Sequence, residues 1–347
     1  MNPIAQPPAA DALSNRLLAA LQARKTLLAD CAIEGTTAYR LFHGSAEGCA
    51  GLTIDRYGEV LLIQSFHRTL EAGELAEIEA FYGQAGPAGL LAVYNDRSDG
   101  NSRISNPLPD ETMKLAELPR TFSECGVNYR FRARHAGQDP WLFLDLRAAR
   151  KRVMQDAKGK SLLNLFAYTC GVGIAAAVAG AREVINIDFS ESALAVGKEN
   201  AGLNSIPISV RFIKSDFFPA ARQYAGLGQS QIVRRKKLPD FPKLAARKFD
   251  VVFLDPPRHA KSTFGVVDLV NDYPALFKPA LLATEEGGTL FCCNNAGQVD
   301  RLAWLDQLER SARKAGRPIR AAEWIAPESD FPSYDDNPPL KVLRLSV

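Results

Sequence analysis

No stretch of the sequence comes near the roughly 20 consecutive apolar residues that a membrane-spanning helix needs. The opening residues, MNPIAQPPAADALSNRLLAALQARK, also lack a secretory signal's order of basic start, apolar block and cleavage site, so a cytoplasmic protein with no membrane partner is expected. Cysteine is sparse. The six residues Cys31, Cys49, Cys125, Cys170, Cys292 and Cys293 form no CxxC and no Cys/His cluster, which argues against a disulfide framework and against a zinc site, and no metal is expected. There is little excess of charge of either sign, 42 Lys and Arg against 39 Asp and Glu, and no internal repeat. With 46% hydrophobic and 23% charged residues over 347 positions, what is present is an ordinary globular composition, long enough for two domains or one large domain with an appendage.

The near-neutral total hides two basic islands. Asn128 to Lys160 carries nine basic and three acidic residues, and Gln231 to Lys248 carries seven and one, so the remainder of the chain is acidic. Such islands suit a polyanion such as RNA, although two solvated loops would give the same count.

Along the chain, Leu13, Leu17, Leu21 and Leu28 predict a helix running to about Ala29, capped by Asp11 or Ser14. GLTIDRYGEVLLIQSF reads as a hairpin turning at Tyr57 and Gly58. A helix near Glu71 to Tyr82 and a strand at LLAVYN complete a small α+β module. Residues 101–120 read as a loop-rich connector, and YRFRAR as a strand. From Ser161 the rhythm becomes strand and helix in alternation: SLLNLF, EVINID, ISVRFI, FDVVFL and GTLFCC are strands with helices between them. This predicts a Rossmann-like, seven-stranded, mostly parallel sheet covered on both faces. PIRAAEWI and LKVLRLSV have no helix between them and should close it as an antiparallel C-terminal hairpin.

In such a sheet the ligand crevice lies beyond the carboxyl ends of the strands, where strand order reverses. The first strand of this half runs into NLFAYTCGVGIAAA, a turn whose Gly171 and Gly173 open a helix. The spacing is not that of a dinucleotide fingerprint. The second strand ends in Asp188, placed to accept both hydroxyls of a ribose. The third ends in SDFF, where Asp216 can accept from an adenine amino group beside the apolar faces of Phe217 and Phe218. Together they indicate an adenosine-containing cofactor. The fourth strand, FDVVFL, ends in Asp255, Pro256 and Pro257. Prolines remove donors and fix φ, leaving the carbonyls of Asp255 and Pro256 free to accept from a planar base.

NLFAYTCGVGIAAA, INIDFSESALAVGKEN, KSDFF and LDPPRHAKS, in this order, resemble the class I S-adenosylmethionine-dependent methyltransferases. More narrowly, they resemble the bacterial large-subunit ribosomal RNA methyltransferases that modify cytosine C5 or guanine N7. The resemblance extends upstream through AYRLFHGSAEGCAGLTIDRYGEVLLIQ and GQDPWLFLDLRAAR and covers roughly residues 35–347, without the PUA domain common among the cytosine enzymes. It implies three parts, a tail and helix over 1–34, a small α+β domain over 35–120 for RNA or substrate recognition, and a methyltransferase domain over 121–347. It implies S-adenosylmethionine as cofactor, bound by Asn164, Phe166, Tyr168, Gly171, Asp188, Phe189, Asp216, Phe217 and Asp255, with Phe143, Asp145 and Arg147 approaching from upstream. Two departures stand out. Cys170 occupies a position where the family usually has glycine, and Asp139, Pro140 and Trp141 replace its usual Lys-Thr-Gly.

The methylated atom is open at this level. Cytosine C5 is not nucleophilic and requires a thiolate to add at C6. Cys292 or Cys293 stands where the cytosine enzymes carry such a cysteine, Cys293 aligning better, so Asp255, Pro256, Pro257 and Cys293 are the candidate catalytic residues. The following Asn294 and Asn295 resemble the guanine N7 group, which needs no thiol. Arg258 in place of an aromatic after the two prolines argues against an exocyclic amine. Arg258 and Lys261, with Arg234, Arg235, Lys236 and Lys237 in a long insertion before the fourth strand, are candidate RNA contacts. The reading that results is an S-adenosylmethionine-dependent RNA methyltransferase acting on ribosomal RNA, cytosine C5 favoured. A methyltransferase of small molecules or proteins, and a non-catalytic RNA-binding protein, are the alternatives.

Overall fold

The computed structural model describes residues 12–233, 235–333 and 337–347. They fall into two compact units, one of Met1–Phe122, Arg132–Gln138 and Ser329–Phe331, the other of Ser123–Phe131, Asp139–Glu328 and Pro332–Val347. Among the described residues, no helix is long and apolar enough to cross a membrane.

The first unit begins with two helices, α1 (Leu13–Ala23) and α2 (Lys25–Ile33), where the leucine spacing predicts one. The break falls at Arg24, whose guanidinium turns inward to pair with buried Glu47 at 2.7 Å. Ala12 occupies the cap of α1 without a side-chain hydrogen bond, so Ser14 does not cap it, and Asp11 lies outside the described residues. Strands β1 (Ala38–Phe42), β2 (Leu52–Tyr57) and β3 (Val60–Ser65) form an antiparallel meander. Helix α3 (Ala72–Ala85), entered through a capping box between Glu71 and Glu74, then crosses over to β4 (Leu91–Asp96), which lies parallel to β3. The segment expected to be a loop-rich connector is instead mostly helical, α4 (Ser102–Ser105) and α5 (Asp110–Glu117). Its three prolines mislead because all lie outside the helices; Pro109 sits at the cap of α5, where its missing N–H costs nothing.

The chain passes into the second unit along β5 (Arg120–Glu124) and β6 (Val127–Phe131). The elements that follow are α6 (Arg147–Asp156), β7 (Ser161–Leu165), α7 (Gly171–Val178), β8 (Glu183–Asp188), α8 (Glu191–Gly202), β9 (Val210–Lys214) and α9 (Phe217–Tyr224). Two short ribbons come next, β10 (Ile232–Val233) with β11 (Lys236–Lys237), and β13 (His259–Lys261) with β14 (Val266–Asp268), on either side of β12 (Phe249–Leu254). The unit ends with α10 (Tyr273–Leu282), β15 (Thr284–Asn294), α11 (Arg301–Lys314), β16 (Ala321–Trp324) and β17 (Lys341–Ser346). The seven-stranded sheet runs β16-β17-β15-β12-β7-β8-β9, with β17 antiparallel to both its neighbours and the central pairs parallel.

Residues buried on both faces give β7, β8 and β12 their continuous apolar runs. One face packs Leu163, Ile185, Val252, Leu290 and Cys292 against helices that include α10 and α11; the other packs Leu162, Val184, Phe253, Phe291 and Cys293 against α6 and α7. Strand β7 pairs with β8 on one side and β12 on the other, so the order reverses there. A crevice is expected at the carboxyl ends of these strands.

Candidate active site

A cavity of about 630 Å³ opens at that reversal, its wall built from the tips of β7, β8 and β12, the start of α7 and the segment leading into α6. The size suits a small-molecule cofactor. A larger hollow of about 820 Å³ lies in the first unit, lined mainly by apolar side chains such as Leu61, Leu75, Leu90 and Leu108 with one acid, Glu79. Volume alone is therefore a poor guide to the chemistry, which depends on the convergent polar groups of the smaller cavity.

The turn after β7 is unusually strained. Phe166, Tyr168 and Cys170 all have φ between 50° and 64°, a left-handed region that any residue with a Cβ disfavours. Hydrogen bonds hold the turn in place. Ala167 N–H donates to Ile187 O (2.9 Å), Cys170 N–H to Ala167 O (2.7 Å), and Asn200 Nδ2 to Thr169 O (3.0 Å). Cys170 is wholly buried, and a Cβ on Gly197 would stand 2.5 Å from its Sγ, so the thiol fills a space that Gly197 leaves open. Gly173 is required for a similar reason, since a Cβ there would stand 2.1 Å from Asn186 Oδ1, the acceptor of Asn164 Nδ2 at 2.9 Å.

Asp188 closes β8. Its Oδ2 accepts from Tyr168 N–H (2.7 Å) and its Oδ1 from Ser190 N–H (2.8 Å), which orients the carboxylate and leaves lone pairs on both oxygens for a diol. Burial pushes its pKa up, opposed by the backbone amides of Ser190, Tyr168 and Phe189. Phe166 is backed by Phe217, the rings stacked 4.7 Å apart, and Phe143 and Tyr168 meet at 5.7 Å. Phe189 is 59% exposed.

At the tip of β12, Asp255 is only partly buried because it faces the cavity, yet its carboxyl is deeply surrounded by protein. Burial raises its pKa to about 7, Asp145 adds to the shift, and a hydrogen bond from the Cys293 thiol and the charge of Arg150 oppose it. The two adjacent cysteines of β15 face opposite sides of the sheet. Cys292 lies in the core with Tyr273, whereas Cys293 lies on the face of Phe253 and Leu340, both of which line the cavity. Burial drives the Cys293 thiol well above its ordinary value.

Of the twelve expected cofactor contacts, Phe143, Asp145, Asn164, Phe166, Tyr168, Gly171, Asp188, Phe189 and Asp255 are brought to the cavity wall, and Pro256, Pro257 and Arg258 join them. Three do not reach it. Asp216 is the cap of α9, its Oδ1 accepting from Phe218 N–H at 3.0 Å. Phe217 is buried behind Phe166, and Arg147 is wholly buried in the first turn of α6. Cys293, fully buried, touches Asp255 but is not part of the wall. Lys261, Arg235 and Lys237 are exposed and also lie outside it; Arg234 falls outside the described residues.

Arg150 was missed by sequence reasoning and is central. It lines the cavity, donates from NH1 to Phe143 O (2.9 Å), and grips Glu124 with Nε and NH2 at 2.5 and 2.8 Å, both side chains being 2% exposed. Burial works against its charge, but Glu124 outweighs that and the pKa rises. Asn295 and Leu340 also complete the wall. Arg150 lies three residues after Arg147, a helical spacing that was legible, but Glu124 lies beyond any local pattern.

The acids, aromatic rings and glycine turn of this wall fit an adenosine bearing a sulfonium. The model of the S-adenosylmethionine-dependent methyltransferase family matches residues 40–346. The chain belongs to that family. Its curated relatives include ribosomal RNA large subunit methyltransferase I of Aeromonas salmonicida, 30% identical over 86% of this chain and 71% of that protein. The enzyme of the same name from Aliivibrio fischeri is 30% identical over 91% and 75%. Among solved structures, a methyltransferase complexed with SAH superposes with a TM-score of 0.73 at 22% identity, covering 99% of this chain and 84% of that one. A Streptococcus mutans SAM-dependent methyltransferase gives 0.72 at 23%, again over 99% and 84%. These two show the fold. The methyltransferase uses S-adenosylmethionine, which supplies a methyl group on a positively charged sulfur.

Proposed function

We propose that this methyltransferase modifies a base of ribosomal RNA, cytosine C5 being the favoured atom. The observation that carries the reading is the adjacency of Asp255, at the end of β12 in the cavity wall, to Cys293 on the neighbouring β15, each one residue past the Leu254–Cys292 pair of the parallel ladder. The names of the curated relatives support ribosomal RNA as the substrate class. Pro256 and Pro257 offer no N–H, so the carbonyls at this tip accept from a base amino group. Asp255 takes the thiol proton and the Cys293 sulfur adds to C6; the resulting enamine carbon, C5, takes the methyl group from the sulfonium, which leaves as a neutral thioether, and loss of the C5 proton to a base then breaks the C6–sulfur bond and returns the Cys293 thiolate. Asp188 orients the ribose of the cofactor. Asp145 and Asp255 are the acids of the wall that would meet its positive charge.

Arg258, in the wall, and Lys261, Arg234, Arg235, Lys236 and Lys237 are the proposed RNA contacts of this part of the chain. Residues 121–347 form the catalytic domain in this reading, residues 35–120 a substrate-recognition domain and residues 1–34 its leading segment.

A second reading, guanine N7, is favoured by the complete burial of Cys293 and by Asn295 in the wall. N7 already carries a lone pair and needs only alignment with the methyl group. Nucleoside mass spectrometry of large-subunit ribosomal RNA incubated with the protein and S-adenosylmethionine separates the two. Formation of 5-methylcytidine that disappears in Cys293→Ala supports the first. Formation of 7-methylguanosine by both proteins supports the second, and absence of any methylated base overturns the RNA reading.

A further inference from the structure

The second basic island of the sequence, Gln231 to Lys248, carries seven basic residues and one acid, Asp240, and lies wholly in the second unit. Its return limb is fastened to α9 by one side chain. Gln223 donates from Nε2 to Pro219 O (2.9 Å) and Pro242 O (3.0 Å) and accepts at Oε1 from Leu244 N–H (3.1 Å), so both donors and the oxygen of its amide are engaged. Arg247 closes the limb, its N–H donating to Tyr224 O (3.1 Å) and its guanidinium to the two oxygens of Glu183 at 3.0 and 2.7 Å. Towards the tip, Leu238 N–H donates to Gln231 O (2.7 Å) beside the β10–β11 pairing. A long connection held at defined points has a function to serve.

A row of rings joins this element to the cavity wall. Phe166, in the wall, stacks on Phe217, and Phe217 meets Phe218 edge-on with centroids 5.3 Å apart. The Phe218 ring lies against Gly265, where a Cβ would stand 2.5 Å from it. The preceding residue, Phe264, meets Phe241 of the island edge-on at 5.7 Å, and Lys243 Nζ lies 4.1 Å from the Phe241 ring centroid. Phe264 belongs to the turn between β13 and β14, which is fixed by Phe264 N–H donating to Ser262 Oγ (3.1 Å) and Ser262 N–H to Gly265 O (2.9 Å). Strand β13 begins at His259, directly after Pro256, Pro257 and Arg258 of the wall. The island is thus joined to the wall by two routes, through the rings behind Phe166 and through the ribbon that continues from the Asp-Pro-Pro tip.

Charge is carried on both parts. Arg235, Lys237, Lys243 and Lys248 of the island are exposed, as are Arg258 and Lys261 next to the tip. Phe241 is 8% exposed, so its ring is a joint and offers no platform for a base, while its face holds the Lys243 ammonium at the surface. Phosphate contacts fix where a strand lies without reading its bases. Methyl transfer then demands that one base be aligned, and a misplacement of about 1 Å can cost about 100-fold in rate. A grip on the backbone serves that alignment only when its distance from the tip is fixed, which the Phe241–Phe264 contact provides.

We propose that residues 235–248 are an RNA-gripping arm, with Lys237 and Lys243 as phosphate contacts, and that Phe264 is a positioning residue whose contact with Phe241 holds the arm in register with the Asp255–Pro257 tip. The choice of RNA rests on the proposed function. The test uses the full-length protein, S-adenosylmethionine and an unmodified transcript of large-subunit ribosomal RNA, and reads RNA affinity against salt together with kcat and KM for methylation. Lys237→Gln with Lys243→Gln should lower RNA affinity about tenfold at 0.1 M salt and reduce the slope of log K against log salt by about 1.4, two single-strand phosphate contacts. Phe264→Ala should keep the wild-type salt slope and S-adenosylmethionine affinity but lower kcat about tenfold or more, because the strand is gripped out of register. Phe241→Leu, which preserves apolar volume but not the ring contact, should reproduce that loss, and Phe264→Tyr, which keeps the ring, should not. If wild type methylates RNA and both Phe264→Ala and Phe241→Leu keep its kcat, the positioning role is refuted. If the double lysine variant keeps the wild-type affinity and slope, the arm is refuted, and in either case the proposed function stands. If wild type does not methylate RNA, both fall.

Discussion

Replacing Asp255 by asparagine should make the stability of the second unit less sensitive to pH. The carboxyl has an ordinary pKa of 3.8 and one of about 7 in the fold. Between these values the folded protein holds a proton that the unfolded chain has released, so stability falls as pH rises through the window. There is no penalty below the ordinary value, and it is complete above about pH 7. A shift of this size corresponds to a ceiling of about 4 kcal/mol. Because Asp255 keeps contact with solvent in the cavity, water relieves part of the desolvation and a penalty of about 1–2 kcal/mol is expected. Asparagine is neutral throughout and can still accept from the Cys293 thiol. The variant should therefore gain about 1–2 kcal/mol relative to wild type between pH 4.5 and pH 8, or about 2–4 °C of melting temperature per kcal/mol. Tryptophan fluorescence is the suitable assay, because Trp141, Trp304 and Trp324 all lie in the second unit. Other titrating groups cancel in the difference between the proteins. A difference that stays constant across the range, or grows toward low pH, would refute the reasoning.

Glu124→Gln should cost about 3–5 kcal/mol in urea unfolding, since it leaves a buried guanidinium without its counter-charge. Glu124→Leu combined with Arg150→Met should cost less than that single change, and equal costs would show that the pair is not coupled. Asp188→Asn should raise the Kd for S-adenosylmethionine about tenfold or more by calorimetry. An unchanged Kd would mean that the carboxylate serves only the Tyr168 and Ser190 amides.

The sheet was legible because its strands are short, apolar and separated by helices of regular length, so that SLLNLF, EVINID and FDVVFL announce themselves. The cavity wall was legible where a residue lies at a strand tip, as Asp188 and Asp255 do. Asp216 also lies beyond a strand tip, where it caps α9 by accepting from Phe218 N–H, and it stands outside the cavity wall that Asp188 joins, a difference of position that the sequence does not carry. Arg24 illustrates another limit. Its leucine neighbours promise a continuous helix, and the break depends on Glu47, more than twenty positions away. Charge windows meet the same limit, since they count arginines such as Arg130 and Arg150 whose acidic partners, Glu199 and Glu124, lie far away in sequence.

The contact between Cys170 and Gly197 constrains the history of this chain. Glycine at 170 would release about 1–2 kcal/mol of left-handed backbone cost but empty the volume that the sulfur occupies. Alanine at 197 is sterically barred while cysteine remains at 170. The two positions therefore behave as one inherited unit, and a lineage exchanging one state for the other has to pass through the doubly glycine intermediate, with its small void, before either side chain can grow.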